Sequence, residues 1–186
     1  MATRNDLSEA LPQLIDAEQQ LHDYANSIGI DYRIADYGAV RTEADTNLIL
    51  KYRQDDYNAA VRADPSVAHI PINVWRPIAS YGSSYHNYGA AFDVLITVSG
   101  QYGSSALDVL KNAASQFGLS SSVPNDRPHF ELAGISVDDA RQLWIDYTTG
   151  TDYVPPTSPS GTGDVAALVT IAALGALLLL LRYFKR

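Results

Sequence analysis

The sequence predicts a mixed α and β domain followed by a spacer and a C-terminal transmembrane helix. Three observations carry this expectation. Apolar residues recur at helical spacing in several stretches, residues 12–28 foremost. The run AAFDVLITV (90–98) is short, apolar and rich in β-formers, the composition of a buried strand. After Tyr153 the composition shifts to Pro, Ser, Gly and Thr, and then to an apolar run that no charge interrupts.

The N-terminus, MATRNDLSEALPQ, lacks an apolar core and carries charges early, so it does not read as a secretory signal peptide. Over residues 12–28, Leu14, Ile15, Ala17, Leu21, Tyr24 and Ala25 share a helical face, and Gly29 can end that helix. IDYRIADYGAV (30–40) reads as a strand with a turn at Gly38. Thr42 followed by Asp45 is a capping signal for a long polar helix over 43–63, which Pro65 stops. Residues 66–90, rich in Ser, Tyr, Gly and Pro, read mostly as loop. Helical signals return at 105–117, followed by a loop containing Pro124. RPHFEL (127–132) alternates as a strand does, and 136–147 suits a last helix packing Leu143 and Trp144. Residues 1–153 thus form one domain.

VPPTSPSGTGD (154–164) has the composition of a linker. VAALVTIAALGALLLLL (165–181) follows. Seventeen residues at about 1.5 Å each give roughly 25 Å, the short end of what crosses a bilayer core. Tyr183 and Phe184 suit the interface, while Arg182, Lys185 and Arg186 can snorkel. Residues 165–186 are therefore expected to form a transmembrane helix with a basic tail.

The formal net charge is −8 although three of the 13 basic residues fall in the last five positions, RYFKR. So acidic a body argues against nucleic-acid binding, which needs a basic footprint. There is no cysteine. Disulfides, thiol catalysis and Cys-containing zinc sites are excluded, and a transition-metal site must draw on His, Asp and Glu.

The chain has four histidines. His22 lies on the first helix among Gln and Asp and reads as solvated. His69, in VAHIPI, reads as structural. His86 stands in SSYHNYGAAFDV (83–94), seven residues before Asp93, and His129 stands in NDRPHFEL. Three protein ligands with one open position is the catalytic zinc pattern, and His86, Asp93 and His129 make a candidate set. On a strand His129 and Glu131 point the same way, and Asp126 lies just upstream, so both acids are candidate bases beside the metal. Arg41 and Arg76 are the candidate cations for a developing oxyanion.

S-Y-H-N-Y-G-A-A-F-D (84–93) matches a Ser-x-His-x-x-Gly-x-Ala-x-Asp signature, position by position. It resembles that of the zinc D-Ala-D-Ala carboxypeptidase and L-alanyl-D-glutamate peptidase family, which includes vancomycin-resistance dipeptidases and phage endolysins. D-R-P-H-F-E (126–131) is similar to the second motif of the family's endolysin branch. G-A-V-R-T (38–42) resembles its Gly-x-Arg-Thr element, with one residue more between Gly38 and Arg41. The likeness covers roughly residues 10–147. It implies an α+β fold of the Hedgehog and D,D-peptidase kind, a small antiparallel sheet flanked by helices with Zn2+ on one sheet face. It implies His86, Asp93 and His129 as zinc ligands, Asp126 as general base and acid, Arg41 as the oxyanion-stabilising cation, and Ser84 as a substrate contact. Glu131 supports the ligands from behind, and Arg76 is structural.

The function so implied is hydrolysis of peptidoglycan stem peptides, at the L-Ala–D-Glu bond by the endolysin-like motif. A D,D-carboxypeptidase or dipeptidase is the alternative. A catalytically silent zinc-binding or structural virion module is a third expectation, of another class. The positive residues beyond the apolar run place the extreme C-terminus in the cytoplasm and the domain outside, by the positive-inside rule. With no signal peptide to deliver the domain there, two settings fit: a phage lysis enzyme at the bacterial inner membrane, or a component of a membrane-bearing phage virion.

Overall fold

The computed structural model describes residues 6–76, 78–97, 105–121, 123, 126 and 128–151, all within the compact unit Met1–Pro155. The expected transmembrane helix at 165–186 and the linker at 154–164 lie outside the described residues. Among the described residues, no helix is long and apolar enough to cross a membrane.

The described residues form an α+β fold. Four strands, β1 (Tyr32–Ile34), β2 (Ala91–Ile96), β3 (Leu119–Ser120) and β4 (His129–Leu132), make one antiparallel sheet in the order β1-β2-β4-β3. The helices are α1 (Pro12–Ser27), α2 (Glu43–Ala63), the single turn α3 (Ile72–Trp75), α4 (Ser105–Ala114) and α5 (Val137–Thr149). Three short 3₁₀ turns, Pro65–His69, Tyr85–Tyr88 and Ser115–Phe117, complete the described elements.

The sheet has two unlike faces because side chains alternate along a strand. In the β2–β4 register Ala91 lies opposite Glu131, Phe92 opposite Phe130 and Asp93 opposite His129. Phe92 and Phe130 stack with ring centroids 5.4 Å apart and both are fully buried. They join Val94 and Ile96 in a core completed by Leu14, Ala17, Leu21 and Ala25 of α1 and Leu107, Leu110 and Ala114 of α4. The alternate positions, Asp93, His129 and Glu131, face away from that core, and the opposing Ala91 is too small to crowd Glu131.

The caps follow the sequence. Thr42 and Asp45 form a reciprocal capping box at the start of α2, as do Ser136 and Asp139 at α5. Gly29 and Gly150 end α1 and α5 at positive φ. Helix α2 matches the long polar helix expected, and Thr46 is its one buried residue. In α5, Leu143 and Trp144 pack against Leu11, Ala90 and Ala140, as expected.

Several expectations need correction. Only Tyr32–Ile34 of 30–40 is strand, because the chain then bulges: Ala35 N–H donates to Asp93 O, and Gly38 O accepts from Asp93 N–H at 2.7 Å. The residues between fold back, with Tyr37 at φ 57. Segment 66–90 is mostly loop, as expected, but the single turn α3 and two 3₁₀ turns interrupt it. The helix expected over 105–117 tightens to 3₁₀ after Ala114, and the two-residue β3 escaped notice. His22 is half-buried, its ring 4.8 Å from that of Tyr32.

Gly89 closes the 3₁₀ turn Tyr85–Tyr88 at φ +60, and a Cβ there would lie 2.8 Å from Trp144 Cζ3, 2.9 Å from Ala10 Cα and 3.0 Å from Leu11 N. Gly118 has a similar φ of +73 but open space around it. Substituting Gly118→Ala should cost only the left-handed strain of about 1–2 kcal/mol. Gly89→Ala should cost clearly more, because two of its clashes are with backbone. Urea denaturation of the two variants measures the difference, and equal losses would remove the close approach as the reason for glycine at 89.

Candidate metal centre

Three separate segments bring donors together. Asp93 and His129 are cross-strand partners on β2 and β4. His86 arrives on the 3₁₀ turn, which Ser84 caps by accepting from His86 N–H at 3.3 Å. That turn is fastened by three backbone bonds: Arg41 N–H to His86 O, Ala90 N–H to Tyr85 O and Leu11 N–H to Gly89 O.

His86 Nε2 lies 3.1 Å from His129 Nδ1 and 3.3 Å from Asp93 Oδ1, and His129 Nδ1 lies 3.2 Å from the same oxygen. Tetrahedral ligands about 2.0–2.2 Å from a zinc ion stand about 3.3–3.6 Å from one another. The observed triangle is close to that size.

Hydrogen bonding also fits a cation. His86 Nδ1 is 3.1 Å from Ala39 O, which can only accept, so Nδ1 carries the proton and Nε2 has a lone pair. His129 Nε2 is 3.0 Å from Glu131 Oε2, so Nδ1 carries the lone pair of the neutral ring. Two lone pairs and a carboxylate oxygen therefore face one point, an arrangement that needs a positive charge there. His86, Asp93 and His129 form a group that can hold a metal ion.

The protonation tendencies agree with this. Burial lowers His86 to about 4. Burial also opposes charge on His129, but hydrogen bonds to Asp93 and Glu131 override it and raise that imidazole to about 9. Burial would lift Asp93, yet the neighbouring His86, His129 and Arg41 hold its carboxyl well below the usual range. The pocket thus favours cations, and a proton takes the place when no metal does.

Arg41 stands beside the donors. Its Nη2 donates to Asp93 Oδ2 and its Nε donates to Tyr37 O at 2.6 Å. Positive φ at Tyr37 is uncommon for a large side chain and turns that carbonyl toward the guanidinium. Asn87, which the sequence reading passed over, secures the same loop. Its amide nitrogen donates to Arg41 O at 3.1 Å and to Thr46 Oγ1 at 3.3 Å, and its oxygen accepts from Gly82 N–H at 3.0 Å. Nothing in its spacing marked it. Glu131 is 5% exposed and bonded to His129, so it is no solvated strand carboxylate.

A cavity of about 890 Å³ opens over the donors. His86, His129, Arg41, Asp126, Ser84 and Arg76 all line it. That volume is in the upper part of the range for ligand pockets. Burial and the nearby Asp93 raise the pKa of Asp126. Of the other two histidines, His69 is exposed and His22 lies on α1, and neither joins the group.

No protein-family profile and no curated protein sequence matches the chain. Solved structures do match. One is a point mutant of the vancomycin resistance D,D-pentapeptidase VanY from the VanB-type resistance cassette, in complex with Zn(II). It superimposes with a TM-score of 0.56 at 19% identity, covering 73% of this chain and 78% of that one. VanYB in complex with D-alanine-D-alanine gives a TM-score of 0.52 at 18% identity, covering 82% of this chain and 91% of that one. The α+β architecture with its small antiparallel sheet is thus one that these peptidases also have.

Glu131 offers a direct check on the centre. Glu131→Gln keeps the shape and an acceptor for His129 but removes the charge. We expect the chain to bind one Zn2+ per molecule and the variant to bind it about tenfold more weakly, the low end for such supporting contacts. Competition with a chromophoric chelator measures this; unchanged affinity would detach Glu131 from the metal centre.

Proposed function

We propose that the protein is a zinc-dependent peptidase that hydrolyses the stem peptides of bacterial peptidoglycan. The observation that carries the reading is the convergence of His86, Asp93 and His129 on one point, in a cavity that Asp126 and Arg41 also line. The two similar folds support it, one being of a peptidase in complex with Zn(II) and the other of one in complex with D-alanine-D-alanine.

Zinc would be held by His86 Nε2, His129 Nδ1 and Asp93, and it would supply Lewis acidity at the scissile carbonyl. The chain's own groups do the rest. The Asp126 carboxylate takes a proton from the attacking water and returns it to the leaving amine. Its raised pKa brings it closer to neutrality, where one group can both accept and donate. Arg41, fixed by Asp93 and Tyr37, holds its charge beside the donors, where an oxyanion develops. Ser84 holds the turn of His86 and, from the cavity wall, contacts the substrate. A catalytically silent module has no need of Asp126 and Arg41 on the same cavity.

The D-R-P-H-F-E motif favours the L-Ala–D-Glu bond. The neighbour in complex with D-alanine-D-alanine favours a D,D-carboxypeptidase as the second reading. Digestion of peptidoglycan by the purified chain, with fragments read by mass spectrometry, separates them. A new D-Glu amino terminus supports the first and free D-Ala the second. Asp126→Asn should lower turnover by about 10²–10⁴-fold with zinc content unchanged. Equal turnover in wild type and variant would remove Asp126 from its role.

The uncharged run 165–181 supports a further part of this reading, attachment of the domain to a membrane, either the bacterial inner membrane or that of a phage virion. The full chain should float with liposomes on a density gradient and resist alkaline carbonate extraction. A chain ending at residue 153 should do neither, and co-flotation of that shorter chain would contradict the assignment.

A further inference from the structure

The cavity has a second cation on its wall, in a segment to which the metal chemistry assigns no work. Residues 64–76 form a strap across α2. Asp64 caps its first 3₁₀ turn, Tyr57 Oη donates to Ile70 O at 2.8 Å, and the Tyr57 and Trp75 rings meet edge to face at 5.5 Å. Arg53 Nη1 donates to Arg76 O at 3.4 Å. Together these contacts hold the backbone of Arg76 against the helix.

The side chain of Arg76 is also held from two sides. Its guanidinium lies over the Trp75 ring, 5.2 Å from the centroid, and its Nη1 donates to Asp56 Oδ2 at 2.8 Å. An exposed ion pair of this kind adds little to stability. As a fastening it is therefore weak. As a means of aiming a guanidinium it is effective, because stacking and one bond leave further N–H groups of the planar fork for another acceptor.

The lining of the cavity suits such an acceptor. Arg41 is committed to Asp93, whereas Arg76 makes no described bond to any residue of the metal centre. Asn73 adds an amide beside it, and Ile49, Ile78 and Ala79 add short apolar surface. A fixed cation, an amide and aliphatic walls suit a peptide segment bearing a carboxylate. In a chain of net charge −8, a cation on the cavity wall is well placed to select an anionic substrate.

We propose that Arg76 is a specificity-determining residue that holds a free carboxylate of the substrate peptide. This rests on the reading of the protein as a peptidoglycan peptidase. Stem peptides with lysine at the third position offer two such carboxylates: the α-carboxylate of D-Glu, which is joined onward through its side chain, and the C-terminal carboxylate of D-Ala.

Four synthetic stem pentapeptides test the proposal, with the D-Glu α-carboxylate free or amidated, crossed with a C-terminal acid or amide. The full-length chain should cleave the acid form of one group with a kcat/KM about tenfold or more above that of its amide. Which group shows the preference identifies the source. Arg76→Gln should abolish that preference through KM, with zinc content and unfolding midpoint unchanged, and Arg76→Lys should restore part of it. Asp56→Asn separates recognition from mere fastening. It should weaken the acid preference without abolishing it, because the Trp75 ring still holds the guanidinium, whereas a purely structural ion pair would make Asp56→Asn and Arg76→Gln equivalent. An undiminished preference in Arg76→Gln, no preference in the wild type, or equivalence of the two variants overturns the proposal alone. Failure of the wild type to cleave any of the four, or peptidoglycan itself, overturns the peptidase reading along with it.

Discussion

The site depends on the register of β2 against β4. Asp93 faces His129 across the ladder only because Phe92 faces Phe130 one position earlier. A slip of one residue would turn the two aromatic rings toward the cavity and drive a carboxylate and an imidazole into the core. Burial of Phe92 and Phe130 against α1 and α4 therefore fixes the chemistry on the opposite face. The bulge at Ala35–Gly38 locks the same strand from its other edge. A side chain at Gly38 would bring a Cβ within 2.8 Å of both Ala35 O and Asp93 O, so the backbone of Asp93 is clasped on both sides.

Charge on that face follows from the same geometry. Asp93 is only 14% exposed in its side chain and would be costly to bury alone. Arg41 meets one of its oxygens, and the imidazoles meet the other. Glu131 adds a second buried carboxylate behind His129. With both histidines neutral, two carboxylates stand against one guanidinium, and the deficit is positive charge. A dication at the meeting point of the three donors reverses that deficit where the lone pairs are directed. This is why the metal centre is convincing as a donor set and not merely as a cluster of acids, which are common on an acidic protein.

Much of this was legible in the sequence because it is local or periodic. The spacing of Leu14, Ala17, Leu21 and Ala25 marked α1, the Thr42/Asp45 pair marked the start of α2, and 84–93 carried two of the three donors within ten residues. The third donor followed from elimination among four histidines and from the resemblance. What could not be read was non-local. The bulge that shortens β1 exists because Gly38 meets Asp93, 55 residues away in sequence. β3 is two residues long and has no period of its own. Asn87 looks like any loop polar residue until Arg41, Thr46 and Gly82 surround it. The extra residue between Gly38 and Arg41, relative to the related motif, does not displace either residue from its contact with Asp93.

The domain also separates the metal donors from an exposed strap that lines the same cavity. Donors sit on paired strands and on a turn held by three backbone bonds, where substitution disturbs the core. The strap over α2 is largely exposed, and α2 buries only Thr46. Changes at the exposed Asn73 and Arg76 therefore cost less stability than changes at the metal donors. The motif that carries the metal donors therefore does not extend to the strap that lines the same cavity. On the proposed reading, any choice between substrates belongs to this exposed strap, a segment without periodicity in which Trp75 and Asp56 hold the Arg76 guanidinium.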